Sequence, residues 1–206
     1  MQRPLFVLAL FAATAGPLLA QGQPTSPKPM QTTEVQAGNY RVEGNHTQVF
    51  FSISHFGFNP YFGLFGDASG SLKLNTAKLE NSQVKVSIPV ASLQTSNAKL
   101  TQDLPGEAWF DSAKFPTISF ESTGVKRTGN ATADIAGNLT LHGVTKPVTL
   151  KATFTGGGAN PMSKAATIGF KATTEIKRSD FGMTTYVPMI GDEVSLKISV
   201  AFEREG

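Results

Sequence analysis

The chain has 206 residues and a small formal net charge of +3, a length that suits one ordinary domain with a sizeable core. It contains no cysteine, which excludes disulfides, thiolate catalysis and thiolate metal sites. The lysines are scattered, with no basic run longer than Lys126-Arg127 or Lys177-Arg178, so we expect no nucleic-acid partner.

The first twenty residues have the composition of a targeting segment. A basic start over residues 1–3 precedes an apolar stretch over residues 4–20, the pattern of a secretory signal peptide. A membrane anchor fits less well, because a spanning helix needs about 20 apolar residues and this stretch contains a Gly-Pro pair. We expect cleavage after Ala20, with Ala15 as the alternative, and export to the periplasm.

The residues after the signal peptide are rich in Pro, Gln, Ser and Thr and show neither a helix nor a strand period. This composition predicts a flexible leader. The expected organisation is therefore a signal peptide (1–20), a leader (21–37) and one folded domain (38–206).

From Tyr40 onward, apolar and polar residues alternate, as they do in strands with one buried face. The alternation is cleanest near the end of the chain, where Val194, Leu196 and Ile198 alternate with Ser195 and Lys197. So many half-buried strands favour closure into an all-β, eight-stranded antiparallel barrel. The predicted strands cover residues 40–56, 65–74, 83–90, 117–125, 133–141, 147–155, 167–176 and 193–203.

One long break separates the third and fourth predicted strands. Residues 97–104 carry a short helix pattern that Pro105-Gly106 ends, and Trp109 and Phe110 follow side by side. We predict a helical flap, residues 92–110, that covers one end of the barrel and gates access to it.

The interior of an eight-stranded barrel is just wide enough to be filled by side chains or to hold one small ligand. The pattern alone leaves open a solid core in which small and large residues alternate to fit the taper. Small residues at inward positions instead favour unfilled volume, and they occur at Ala68, Gly70, Ala133, Gly137, Ala152, Ala166 and Ala172.

Five ordered blocks make the chain resemble the YceI-like family, and the resemblance spans about residues 39–205. Members of that family form lipocalin-like barrels that bind polyisoprenoid chains, so the resemblance implies the same fold and an apolar lipid as ligand. The blocks are NHTQVFFSISHFGF (45–58), WFDSAKFPTISFEST (109–123), GNLTLHGVTKPVTL (137–150), RSDFGM (178–183) and GDEVSLKI (191–198).

Strand parity and the flap predict which side chains would contact such a ligand. Since side chains alternate between the two faces, a one-residue error of register would turn a strand inside out. The predicted apolar tunnel consists of Phe51, Ile53, Leu72, Val86, Ile88, Leu104, Trp109, Phe110, Phe120, Leu139, Leu141, Leu150, Phe170 and Leu196.

Histidines offer few possibilities for chemistry, since the chain has only His46, His55 and His142. His46 and His55 are nine residues apart on one predicted strand and point to opposite faces, so we expect no metal site. His55 shares the parity of Phe51 and Ile53. It is either hydrogen-bonded to the backbone or a donor to a lipid head group at the barrel mouth.

Arg178 is the second candidate for a head-group contact. It ends the seventh predicted strand, where a structural pair with Asp180 that caps the barrel is preferred over a contact with a lipid phosphate or quinone oxygen. The sequence contains no recognisable set of acid, base and nucleophile, so we expect neither enzymatic activity nor a cofactor.

Together these features predict an exported protein that holds a long apolar lipid, an isoprenoid or isoprenoid quinone, for transport, storage or stress protection. The alternative is a barrel that docks onto a membrane redox protein and has no exchangeable ligand. Transient contact with a membrane is compatible with the first function. The oligomeric state stays open, with a homodimer as one option.

Overall fold

The computed structural model describes residues 31–206. The predicted signal peptide and the first part of the predicted leader, up to residue 30, lie outside the described residues. The rest of that leader contacts the barrel. It forms one 3-10 turn at Thr32–Glu34, and Val35 packs against the core.

The described part of the chain is almost entirely β-structure. One short helix, α1, spans Ala98–Asp103, and four 3-10 turns connect other elements. The strands are β1 (Gly38–His55), β2 (Asn59–Phe65), β3 (Ser69–Leu74), β4 (Gln83–Pro89), β5 (Gln94–Thr95), β6 (Thr117–Arg127), β7 (Thr132–Leu141), β8 (Val144–Ala159), β9 (Ala166–Lys177) and β10 (Ile190–Arg204).

The strands close into an antiparallel barrel because β1 pairs with β10 on one side and with β2 and β3 on the other. β2 and β3 lie end to end along β1, and their partners β5 and β4 also lie end to end. The ten strand segments therefore form eight strands of the barrel wall, which we call staves. The predicted all-β, eight-stranded antiparallel barrel is confirmed. Closure removes the exposed edges that an open sheet would carry.

The predicted strand over residues 65–74 was wrong in its extent. The stave begins earlier, at Asn59, and is interrupted between Phe65 and Ser69. The interruption faces a register shift in β1, where Gly44 packs so closely on the Ala68 carbonyl that a Cβ would lie 2.7 Å from that oxygen. The sequence did not predict β2, because residues 57–63 contain Gly, Pro and Asn, which usually mark turns.

A buried carboxylate fastens the lower end of the barrel, which is formed by the start of β1, the β3–β4 and β6–β7 connections and the end of β10. Glu203 accepts hydrogen bonds from Ser163 Oγ (2.6 Å), Arg41 Nη2 (2.6 Å) and Asn160 Nδ2 (3.2 Å). The hydrogen bond from Ser163, followed by that from Arg41, lowers the pKa of Glu203. The pairing of β1 with β10 is thereby tied to the β8–β9 connection.

The turn between β1 and β2 holds a bulky residue in the left-handed region. Phe56 has a φ of 54° and Gly57 a φ of 72°, and the Phe58 N–H donates to the His55 carbonyl at 3.0 Å. Positive φ at both central positions is the mark of a type I′ turn, which usually takes Asn-Gly or Asp-Gly. A phenylalanine at the first of these positions is sterically strained.

Replacing Phe56 with asparagine should therefore stabilise the fold. The left-handed conformation costs an ordinary residue about 1–2 kcal/mol, and loss of the contact with His55 offsets part of the gain, so we expect Phe56→Asn to raise the free energy of unfolding by about 0.5 kcal/mol. Urea denaturation measures the change. Phe62→Asn, on β2 with ordinary φ, is the matched control, and equal destabilisation by both substitutions would contradict strain at Phe56.

Candidate functional site: an apolar cavity inside the barrel

A cavity of about 1010 Å³ occupies the barrel interior. Ligand pockets usually measure about 300–1,000 Å³, so this one lies at the upper limit. Residues from every stave line it, from Tyr186 and Met189 at one end to Val35 and Leu79 at the other. The cavity therefore runs the length of the barrel.

The inward-facing side chains of the central barrel are only half-buried. Phe51, Val86, Leu150, Phe170 and Leu196 all point inward yet retain accessible surface. In a close-packed interior such residues would lose that surface, since native cores contain few voids larger than a water molecule. The centre of this barrel is therefore hollow.

The cavity is long enough for an extended chain. On β10 its lining runs from Ile190 to Phe202, about 40 Å along the strand at roughly 3.3 Å per residue. With a typical strand tilt of about 40°, this corresponds to about 30 Å along the barrel axis. A bilayer's hydrocarbon core is also about 30 Å thick and takes two acyl chains end to end, so the cavity suits a guest longer than one acyl chain.

The predicted flap lies over one end of the barrel, which we call the upper mouth. The upper mouth is formed by the β1–β2 turn, the segment between β5 and β6, and the loop of residues 178–189. Asn97 caps α1 by accepting from the Leu100 N–H, and Leu104 is buried. The Thr185 hydroxyl donates to the Ala108 carbonyl at 2.6 Å. The flap is thus fastened to the 178–189 loop, and its gating of access stays a prediction.

The structure places every residue of the predicted tunnel on the cavity wall. Their contact with a lipid stays a prediction. The set is Phe51, Ile53, Leu72, Val86, Ile88, Leu104, Trp109, Phe110, Phe120, Leu139, Leu141, Leu150, Phe170 and Leu196.

The small inward residues behave less uniformly than predicted. Ala68, Ala133, Ala152 and Ala172 line the cavity, whereas Gly70, Gly137 and Ala166 do not. At Gly137 the ring of Phe120 occupies the space where a Cβ would be, and at Gly70 the backbone of Lys85 and Val86 does so. A small inward residue therefore leaves a void only where no neighbour covers it.

Sequence reasoning missed several wall residues at the two ends. Tyr61 shares the parity of Phe65, so the alternation within β2 would have found it. Tyr186 and Met189 lie in a loop without any period, and Val35 lies in the predicted leader. No sequence signal marked these last three as part of the site.

His55 lies at the upper mouth, as its parity predicted, and is exposed there. Its ring packs edge-on against Phe56 at 4.4 Å between centroids and lies 6.5 Å from Tyr61. Among the residues that the structure describes, its imidazole makes no hydrogen bond to the backbone, so that alternative was wrong. Its contact with a head group stays a prediction.

The predicted pair of Arg178 with Asp180 was wrong. The Arg178 guanidinium is buried and donates to four backbone carbonyls, those of Met183, Thr185, Ile190 and Gly191, at 2.8–2.9 Å. An arginine has five N–H donors, so these bonds leave one for any other partner. Arg178 lines the cavity, but its main role is to hold the loop that borders the upper mouth.

Asp192, not Asp180, is the carboxylate near this guanidinium. It accepts hydrogen bonds from Ser179, through the backbone N–H at 2.9 Å and the hydroxyl at 2.7 Å. Burial alone would raise the pKa of Asp192, but the Ser179 bonds and the charge of Arg178 lower it overall. Burial lowers the pKa of Arg178, and Asp192 opposes that shift.

The other two histidines lie apart from the cavity wall. His46 is exposed and its Nδ1 lies 2.7 Å from Glu43, whereas His142 Nδ1 lies 3.1 Å from the Phe181 carbonyl. Over residues 31–206, no group of three or more histidines and carboxylates is placed to hold a metal ion. Over the same range, no helix is both long and apolar enough to cross a bilayer.

The fold and the cavity define a closed β-barrel with a hollow apolar interior. Residues 40–202 match the YceI-like domain, and the chain belongs to the YceI-like family. A UPF0312 protein of Azotobacter vinelandii is 41% identical over 174 residues, which cover 84% of this chain and 90% of that protein.

Two solved structures share the architecture. Burkholderia cenocepacia BcnA is 26% identical, with a TM-score of 0.70 over 78% of this chain and 98% of its own. A polyisoprenoid binding domain from Saccharophagus degradans, implicated in plant cell wall breakdown, has a TM-score of 0.63 over 82% of this chain and 100% of its own. At 14% identity, the second likeness shows the fold alone.

Loss of the Arg178 guanidinium should destabilise the protein strongly. Arg178→Met leaves four carbonyls without their donor, and each unsatisfied buried group costs about 1–3 kcal/mol, so we expect the free energy of unfolding to fall by at least about 3 kcal/mol. Arg178→Lys keeps the charge but not the planar guanidinium, so it should recover little of the lost free energy of unfolding. Urea denaturation measures both, with the exposed Lys177→Met as control. A loss at position 178 no larger than that of the control would contradict this role.

Proposed function

We propose that this chain is an exported carrier that holds one long apolar lipid, an isoprenoid or isoprenoid quinone, inside the barrel. The observation that carries the proposal is the apolar cavity of about 1010 Å³ that runs the length of the barrel. Apolar cavities stay dry and take up apolar guests. A guest along this wall would replace the contacts that the half-buried side chains lack.

Burial of the tail supplies enough free energy without many polar contacts. About 30 sheltered carbons at ~0.8 kcal/mol each gross on the order of 24 kcal/mol. This exceeds the practical ceiling of roughly 18–21 kcal/mol for non-covalent binding, and the costs of immobilising the guest offset part of it. Recognition can therefore rest on length and apolarity.

A domain of the same architecture binds the proposed class of ligand. The Saccharophagus degradans domain with the same architecture is described as polyisoprenoid binding. The length of the cavity, about 30 Å along the axis by strand geometry, suits a prenyl chain better than a single acyl chain. Export rests on the signal-peptide pattern of residues 1–20, and it makes the periplasm the proposed compartment.

The hollow interior also separates the carrier from the alternative function. A barrel that only docks onto a membrane redox protein needs no internal volume and predicts a solid core. Phe170 and Leu196 at the centre keep accessible surface, which favours the carrier.

Filling the cavity from its wall should block the ligand without unfolding the barrel. Ala172 lines the cavity and lies opposite Ala152 on β8. We expect Ala172→Phe to weaken retention of radiolabelled solanesol, a long polyprenol, at least tenfold. The free energy of unfolding should change by less than about 1 kcal/mol, whereas overpacking a solid core costs about 1–3 kcal/mol.

Thr173→Phe is the matched control, because Thr173 is the exposed neighbour on the opposite face of β9. It should retain solanesol like the unsubstituted protein. Equal retention by Ala172→Phe and Thr173→Phe, or no retention by the unsubstituted protein, would count against a carrier.

A further inference from the structure

The upper mouth exposes a group of large apolar side chains that we call the aromatic rim. Scattered exposed apolar residues are normal on a protein surface, but a contiguous patch marks an interaction site. The rim consists of Phe56 (48% exposed), Phe58 (86%), Tyr186 (59%) and Met189 (54%) around the opening, together with Phe62 (59%) on the outer face of β2 below the turn.

The rim is continuous with the cavity wall. The Phe56 N–H donates to the Met189 carbonyl at 2.8 Å, which joins the β1–β2 turn to the 178–189 loop. The rings of Phe56 and Phe58 are 6.3 Å apart, and Tyr186 packs on Trp109 at 5.9 Å. Phe56, Tyr186 and Met189 also line the cavity, so apolar surface continues from outside the protein into its interior.

Both segments that build the rim lack formal charge. Residues 48–66 and 181–191 contain no Asp, Glu, Lys or Arg. Charged side chains are costly to bring into a bilayer, and these two segments contribute none. The charged residues of the neighbouring segment between β5 and β6 are paired with each other, Lys99 with Asp103 at 2.9 Å and Lys114 with Asp111 at 3.0 Å. Exposed aromatic rings beside such pairs match the interface of a neutral bilayer, where aromatic side chains concentrate.

The backbone supports a role for the exposed rings. Phe56 takes the strained left-handed position of a type I′ turn, where asparagine or aspartate would fit with less strain. Strained residues cluster at functional sites. The turn thus presents aromatic side chains at its tip despite the cost in stability.

We propose that the aromatic rim docks the barrel on the surface of a lipid bilayer, with the cavity opening into the hydrocarbon. A long apolar guest then passes between membrane and protein without crossing water. The inference rests on the proposed carrier function. A second copy of this chain seated on the rim would instead close the cavity at its mouth, which favours the bilayer as the occupant.

The test uses substitutions that leave the cavity wall intact. Neither Phe58 nor Phe62 lines the cavity, so the double variant Phe58→Ser/Phe62→Ser should retain solanesol in solution as well as the unsubstituted protein. We expect it to bind phosphatidylcholine vesicles at least tenfold more weakly in flotation and to transfer solanesol from them at least tenfold more slowly. Met162→Ser, which removes an 88% exposed side chain at the β8–β9 connection, is the matched control and should change neither.

The outcomes separate docking from carriage. Equal flotation and equal transfer by the double variant and the unsubstituted protein would overturn docking through the rim. Retention of solanesol in solution would still support the carrier function in that case. A dimer in light scattering that the double variant loses, with flotation unchanged, would assign the rim to a second copy and also overturn docking. If the double variant loses flotation while Met162→Ser keeps it, docking through the rim is supported. This holds even if the unsubstituted protein fails to retain solanesol, a result that would defeat the carrier function.

Discussion

Closure between β1 and β10 is the constraint on which the rest of the structure depends. Eight staves with their usual tilt fix the barrel diameter, and the diameter fixes how much volume the inward side chains must fill. Here they do not fill it, because several inward residues are small, such as the paired neighbours Ala152 on β8 and Ala172 on β9. Because the staves are long, the unfilled space is long as well as narrow.

A hollow protein still needs packing, and two buried clusters supply it. The larger cluster begins with Tyr40 and Phe202 at the lower end of the barrel and extends to Leu104 in the flap. A second, with Leu139, Leu141 and Phe181, lies under the loop of residues 178–189. Polar anchors supplement both clusters: Glu203 receives three side-chain donors at the lower end, and the Arg178 guanidinium holds the upper loop. The inward side chains of the central barrel keep accessible surface that a guest can cover.

Much of the wall could be predicted from the sequence because strand parity depends only on neighbouring residues. The alternation of Val194, Leu196 and Ile198 needs no knowledge of the partner strands, and all three line the cavity. Pairing between distant segments could not be predicted in the same way. The partners of Arg178 are carbonyls of residues 183–191, a choice set by the loop conformation, whereas the sequence favoured the nearby Asp180. Gly137 shows the same limit, since only the fold brings the Phe120 ring over it.

The central claim is that the barrel surrounds a space which an apolar chain occupies. Native mass spectrometry of the protein purified from its own host tests this most directly. The account predicts a mass above that of the polypeptide alone, with the excess released on denaturation and identified as a prenyl lipid in the extract. A bare polypeptide mass under gentle conditions, together with no uptake of prenol or quinone from vesicles, would contradict it.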